Sequence, residues 1–275
     1  MSTTNIGNAF IKRISEQALS SAAINHPYLT AISKGEFGDM QAAFQDFAYQ
    51  YGLYSKHFTR YLTAVIDNLS EPNHKNILLE NLQEEQGNAH DVDLPPEVLL
   101  SVLGQPHCVL FKRFQQALSV DEHYALQHGP CQTGLFWSKH FLHLCQENQY
   151  IGLGAIGIGT ELIVSRIYEQ ILMGLEHHSG LSQSERVFFD LHSGCDDEHA
   201  AQILAITEEL ASSQSICEQI EYGTKMALNM RIMFWDKMLE RALHFGSRTS
   251  GNDKYAKDQF NNHQIKNEKL TAIGY

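Results

Sequence analysis

The feature that most constrains the fold is the absence of proline from Cys131 to the last residue of the chain. Proline is the strongest helix breaker, because it lacks an amide proton and its ring clashes with the preceding turn. The chain has six prolines, and all of them lie within its first 130 residues. The C-terminal half of the sequence therefore permits long helices.

Apolar residues recur at three- and four-residue spacing along almost the whole chain, which is the period of an amphipathic helix. The predicted helices span residues 9–23, 39–69, 73–86, 149–175, 182–210 and 215–245, with shorter helices between residues 95 and 148. Gly52 kinks or divides the second of them. No segment shows the alternation of a strand, so we predict an all-α fold, a single domain over residues 1–245 with its helices packed side by side.

Residues 246–275 differ from the rest, because they are polar and carry few apolar anchors. We predict that they form a mobile tail. The alternative is an arm that binds a partner.

The charge balance excludes several classes of protein. Lys and Arg number 20 against 32 Asp and Glu, a net charge of −12, whereas nucleic-acid binding needs a basic face. The most apolar stretch, residues 151–163, is interrupted by four glycines and is shorter than the roughly 20 residues that cross a bilayer. The first residues lack the apolar segment of a secretion signal. We therefore expect a cytoplasmic protein that acts on a small-molecule substrate, with no nucleic-acid or membrane partner.

The sharpest local motif is the sequence DLHSGCDDEHA at residues 190–200. His192, Asp196 and His199 are spaced i, i+4 and i+7, which places them within roughly 60° of arc on one helix face. Imidazole and carboxylate ligands together suit iron, manganese or zinc. The alternative is a solvated acidic face, but the apolar residues on both sides of the motif argue against it.

Two further segments offer ligands. In the segment ENLQEEQGNAH, Glu84 and Glu85 lie near a predicted helix end, and His90 comes after Gly87. Taken alone, the two glutamates are more typical of a solvated helix face, and the histidine is more typical of a loop. Glu161 is the only charged residue between positions 151 and 165, and a lone carboxylate among apolar residues is costly unless it is paired or binds a metal. The alternative interpretation of Glu161 is a carboxylate that reaches water and binds no metal.

Together these segments supply three carboxylates and three imidazoles from three helices, a complete ligand set for two iron ions. Helical bundles commonly build dimetal sites from side chains on facing helices. Positions would remain open for O₂ and a substrate. Tyr168 lies seven residues after Glu161, on the same helix face, where it is a hydrogen-bond partner, a redox-active group or only a packing residue.

These motifs resemble the heme-oxygenase-like diiron oxidases and oxygenases, and among them the CADD-like branch, named after the chlamydial protein associating with death domains. The family pattern is E…H on one helix, E on a second and HxxxDxxH on a third, and the last of these is matched without a gap. Family position favours Glu85 over Glu84 as the first glutamate. The segment from NHPYLTAISKGEF to RYLTAV is also similar to the opening of this superfamily.

The resemblance implies an iron-loaded enzyme of about seven or more helices, often a homodimer, that uses two Fe ions or an Mn/Fe pair and O₂ as co-substrate. Its six ligands would be Glu85, His90, Glu161, His192, Asp196 and His199. Known activities in the superfamily include oxidative fragmentation of amino acids, decarboxylation of fatty acids, N-oxygenation, nitrile formation and self-sacrificing aminobenzoate synthesis.

We predict that the substrate lies between the Glu161 helix and the aromatic segment at residues 44–61. Tyr51, Tyr54, His57 and Arg166 are the candidates for contacting it, and an arginine can pair a substrate carboxylate bidentately. Tyr168 and Arg166 are the candidate catalytic residues.

Three alternatives remain open at this point. Thiaminase-like proteins share the fold and use a cysteine nucleophile without a metal, but the HxxxDxxH motif argues against that reading. Heme oxygenase itself needs a proximal histidine, for which His26 is the candidate, and the diiron ligand set would then have no role. A non-enzymatic interaction protein or an iron store would fit the polar tail.

Overall fold

The computed structural model of the chain describes residues 3–88 and 94–250, except for the side chains of residues 3–5, 193–198 and 248–250. The helices, numbered in chain order, are α1 (Thr3–Leu19), α2 (Pro27–Lys34), α3 (Met40–Ser55), α4 (Phe58–Asn68), α5 (Pro72–Glu85), α6 (Pro96–Val102), α7 (His107–Ala117), α8 (Glu122–His128), α9 (Gln132–Glu147), α10 (Gln149–Leu153), α11 (Leu162–His178), α12 (Gln183–Leu210) and α13 (Gln214–Ser250), with a π-helical segment at Gly154–Glu161 between α10 and α11. No strand occurs within the described ranges, so the prediction of a single all-α domain is confirmed.

Several predicted boundaries differ from the structure. The first helix, predicted over residues 9–23, spans Thr3–Leu19. Gly52 does not divide the helix predicted over residues 39–69; the break falls at Lys56 and His57, between α3 and α4. The last helix continues to Ser250, past the predicted end at residue 245. The rest of the predicted tail, residues 251–275, lies outside the described residues.

The central element is the continuous helical run Gln149–His178, which is made of α10, the π-helical segment and α11. By length and composition alone it could cross a membrane, but 78% of its most apolar window is buried inside the protein. It packs against α13, α12 and α2. Such burial is expected of the core helix of a globular protein, which explains its hydrophobicity.

The helix α3 brings a row of aromatic residues to this core. Tyr51 stacks on Trp235 of α13, with ring centroids 6.1 Å apart and planes at 6°. Tyr54 stacks on Trp137 of α9, with centroids 3.9 Å apart.

The buried carboxylate of Asp46 accepts two hydrogen bonds, of 2.6 and 2.7 Å, from the guanidinium of Arg241. This bidentate pair fixes α3 against α13.

The π-helical segment ends at Glu161 and is held by very close packing. Its wider turn carries one residue more than an α-helical turn. A Cβ atom added at Gly154 would lie 2.1 Å from the carbonyl oxygen of Ile220, and one added at Gly223 would lie 2.1 Å from the carbonyl oxygen of Ile151. The two glycines therefore allow the backbones of the core helix and α13 to touch.

We expect Gly223→Ala to lower the free energy of unfolding by roughly 1–3 kcal/mol, because a methyl group there meets backbone that cannot rotate away. Thermal unfolding followed by circular dichroism measures the loss. Gly134→Ala is the control, since a Cβ there would meet side-chain atoms of Cys131 and Leu53 at 3.2 Å, which can shift. An equal loss in both variants would contradict the account.

Candidate metal centre

A cavity opens where α3, α7, the π-helical segment and α12 meet. Glu85, Glu161, His107 and His192 are among the residues that line it. Aromatic side chains line much of the remainder: Tyr51, Tyr54, Phe111, Tyr168 and Phe188. The cavity therefore joins a cluster of metal-binding side chain types to an apolar space of the kind that binds small molecules.

Glu85, His107 and His192 form the tightest group of donors in the described part of the chain. One ligand atom from each lies within 4.8 Å of those from the other two. The oxygen Oε1 of Glu85 is 3.1 Å from Nδ1 of His107 and 3.8 Å from Nε2 of His192. The two imidazole rings meet edge to face, with centroids 4.6 Å apart.

A second pair forms about two turns further along α12. Glu84 contacts Nε2 of His199 through its oxygen Oε2. The sequence leaves Glu84 and Glu85 as alternatives for a ligand, and in the structure each of them faces a histidine of α12. This arrangement is possible because α5 ends at Glu85, so that its last turn points both carboxylates at α12.

Glu161 is only 8% exposed, and its electrostatic neighbours belong to both groups. Burial raises the pKa of its carboxyl to about 7, although His199 and His192 act to lower it. Arg231, which is buried with its guanidinium carbon 5.0 Å from the ring centroid of Trp137, also acts to lower it. Among the described donors, Glu161 is therefore the one whose negative charge is poorly compensated in the metal-free protein.

Glu85 behaves in the opposite way. Burial acts to raise the pKa of its carboxyl, but the charge and hydrogen bonds of His107 and His192 outweigh burial and hold the pKa well below its usual range. Glu85 is therefore ionised and ready to bind a cation at any pH near neutrality.

The fit of a metal ion rests on the chemistry of these donors. Nδ1 of His192 lies 2.6 Å from the carbonyl oxygen of Phe188, so this nitrogen donates a proton to it. Nε2 faces the carboxylate of Glu85, so a metal ion that displaced its proton would find an imidazole nitrogen and a carboxylate oxygen side by side. A carbonyl that orients a histidine in this way is typical of metal sites.

The structure describes four of the six predicted ligands, Glu85, Glu161, His192 and His199, and places them in one neighbourhood. His90 lies outside the described residues. The backbone of Asp196 lies within α12, but its side chain is not described. The metal-binding role of all six residues stays a prediction.

Of the predicted substrate contacts, Tyr51 and Tyr54 line the cavity. So does Tyr168, whose hydroxyl is hydrogen-bonded to that of Tyr51 at 2.8 Å. Arg166 does not line the cavity, because it is exposed on α11. It precedes Tyr168 by two residues, about 200° around the helix, and so lies on the opposite face. His57 sits at the start of α4, outside the cavity lining.

Among the cavity-lining residues that sequence reasoning missed are His107 and Lys56. His107 begins α7 directly after Pro106, and a histidine at a helix start gives no sign of its partners. Lys56 follows α3 immediately, and its place beside the predicted aromatic segment is the one signal that was available.

Proteins of known name are similar to this chain in sequence. The chain is 25% identical over 221 residues to a 4-aminobenzoate synthase of Chlamydia muridarum, a match that covers 80% of this chain and 85% of that protein. It is 26% identical over 189 residues to a 4-aminobenzoate synthase of Chlamydia trachomatis, covering 68% and 74%.

Solved structures confirm the fold. A CADD-like protein of Nostoc punctiforme has a TM-score of 0.67 at 16% identity, with 86% of this chain and 98% of that chain covered. A Shewanella denitrificans domain with a heme oxygenase-like fold has a TM-score of 0.64 at 15% identity, with 88% and 93% covered. At these identities the likeness concerns the fold alone.

The sequence profile of one family matches residues 45–232, which is more than half of the chain and includes Glu85, Glu161, His192 and His199. That family is described as iron-containing redox enzymes. The match supports an oxidoreductase over the thiaminase-like and non-enzymatic alternatives. The chain belongs to the family of iron-containing redox enzymes, within the heme oxygenase-like fold.

Proposed function

We propose that this enzyme is a non-heme diiron oxidase or oxygenase that uses O₂ to oxidise a small amino-acid-like or carboxylate substrate. The observation that carries the proposal is the arrangement of two imidazole–glutamate groups and the buried Glu161 beside one aromatic cavity. Iron is the metal that the family match supports. A pair of iron ions, when bound, supplies the electrons and the open positions that O₂ chemistry needs.

The chain's own residues hold and orient this pair. Glu85 and His192 would hold one ion and Glu84 and His199 the other, and Glu161, whose pKa both His192 and His199 act to lower, would add its carboxylate to the set. His90 and Asp196 complete the proposed set by the family pattern. Phe188 fixes the ring of His192 through its carbonyl, so this ligand is already oriented before metal arrives.

Tyr168 is the residue that we propose to move a proton during the reaction. Its ring packs edge to face on that of His192, with centroids 5.5 Å apart. Its hydroxyl shares a hydrogen bond with the buried hydroxyl of Tyr51. A phenol pair of this kind can pass a proton from one oxygen to the other without opening the cavity to water.

Another part of the cavity lining supports a substrate with a carboxylate. Lys56 lines it together with Ser55 and Thr59, and the hydroxyl of Ser55 is buried without a hydrogen-bond partner among the described residues. A cation and a hydroxyl beside an aromatic wall suit an apolar or aromatic acid. Lys56 thus takes the role for which the sequence favours Arg166.

The relatives refine the proposal. Both of the chlamydial proteins reported above are named for the synthesis of 4-aminobenzoate, an aromatic amino acid. Chemistry that forms or acts on an aminobenzoate is therefore our leading proposal for the activity.

From the resemblance we also propose a cytoplasmic homodimer, and the net charge of −12 supports a protein that does not bind nucleic acid.

Anaerobic loading with Fe(II), followed by removal of free metal, is expected to leave two iron ions per chain, which then consume O₂. Iron content measured by mass spectrometry tests this directly. His192→Ala should lose at least one iron because it removes a donor that faces Glu85. His123→Ala, on the exposed surface of α8, is the control and should keep both. A wild-type chain that retains no iron would end the proposal.

Glu161→Gln is expected to change how the stability of the metal-free protein depends on pH. With a pKa of about 7 against an ordinary 4.5, folded Glu161 holds a proton that the unfolded chain has released. The free energy of unfolding therefore falls as pH rises through this window. The glutamine variant avoids that fall, and should exceed wild type by about 3 kcal/mol at most at pH 8 and by less than about 1 kcal/mol at pH 5.

Urea denaturation at pH 5, 6, 7 and 8 measures this difference. Glu169→Gln, at an exposed position on α11, is the matched control and should follow wild type at every pH. Parallel curves for wild type and Glu161→Gln would mean that Glu161 reaches water.

Lys56→Gln is expected to weaken the binding of 4-aminobenzoate roughly tenfold, because one charge-assisted hydrogen bond is lost. Calorimetric titration of the iron-loaded protein, kept anaerobic, measures the dissociation constant. Lys112→Gln is the control, at an exposed position on α7 outside the cavity lining. Equal affinities in all three proteins would show that the carboxylate is held elsewhere.

A further inference from the structure

We propose that His107, the first residue of α7, coordinates metal directly in this centre, as a ligand outside the family pattern of E…H, E and HxxxDxxH. The inference rests on the proposed function, in that it takes the cavity to hold iron. It adds an imidazole from a helix to which the sequence motifs assign no role in the centre.

The distances are those of a site that has yet to close around an ion. Bonds of about 2.1 Å at octahedral or tetrahedral angles separate neighbouring donor atoms by roughly 3.0–3.4 Å. Oε1 of Glu85 lies 3.1 Å from Nδ1 of His107 and 3.8 Å from Nε2 of His192. Shifts of less than 1 Å would therefore bring all three donors onto one ion.

The backbone holds His107 in this place. Gly87, just beyond the end of α5, has a φ of +94°, and a Cβ atom there would lie 2.7 Å from the carbonyl carbon of Gln105. The end of the Glu85 helix thus touches the turn that leads into His107. The helix α7 also packs against α12, which carries His192. His107 is therefore fixed from both sides, and its side chain is only 20% exposed.

An ion pair offers the competing explanation. A protonated His107 would neutralise Glu85 in the metal-free protein, and a role limited to that pair would leave metal binding to the other residues. The two explanations separate at the variant His107→Gln. Its amide can still donate a hydrogen bond to Glu85, but it lacks the nitrogen lone pair that binds a metal.

The experiment compares wild type, His107→Gln and the matched control His123→Gln, all as the full chain. Each protein is loaded anaerobically with Fe(II), freed of excess metal and analysed for iron per chain. In parallel, each is loaded with Co(II), whose visible absorption reports the ligands and geometry of the ion. We expect His107→Gln to fall from two irons to about one and to show an altered Co(II) spectrum, while His123→Gln matches wild type.

Two irons and an unchanged Co(II) spectrum in His107→Gln would overturn the proposal and leave the diiron centre intact. Failure of the proposed function looks different, since wild type itself would then retain no iron.

A measurement on wild type covers the case in which the variant does not fold. Diethyl pyrocarbonate modifies accessible imidazole nitrogens, and mass spectrometry of peptides locates the modification. His107 should react in the metal-free protein and be protected after loading with Co(II), whereas His123 should react in both. A His107 that reacts equally in both states would overturn the proposal.

Discussion

Carboxylates withdrawn from water need a positive charge close by, and this requirement governs the whole centre. Glu85 meets it with two imidazoles and stays ionised. Glu161 meets it only in part, since burial outweighs the attraction of His199, His192 and Arg231 on its pKa. The protein therefore folds around a cavity whose donors carry more negative charge than its side chains neutralise well. A metal ion removes that imbalance, which couples metal binding to stability.

The fold serves this centre by bringing rigid helices together at one level. The last turn of α5 presents two adjacent carboxylates, α12 presents two histidines, and the π-helical segment delivers Glu161 from the core. Tight contacts fix these elements, notably the touching backbones at Gly154 and Gly223. Donors mounted on packed helices keep their places when empty, and loops would not ensure this.

The helical architecture was predictable because its signals are local: a proline-free half and apolar residues at helical spacing. Glu161, His192 and His199 could be identified for the same reason, as a lone charge in an apolar run and as two histidines on one helix face. His107 could not, because its place beside Glu85 depends on the contact between Gly87 and Gln105, which are distant in the sequence. The exposed position of Arg166, by contrast, follows from its two-residue spacing to Tyr168.

The π-helical segment makes the number of residues in the core helix as important as their identity. Were the same residues wound as an ordinary α-helix, everything after the segment would turn by about 100° relative to what precedes it. Either Glu161 would leave the cavity or the glycine contact with α13 would be lost. A substitution in this segment that favours ordinary α-helical winding should therefore displace Glu161 even though it leaves that side chain itself unchanged.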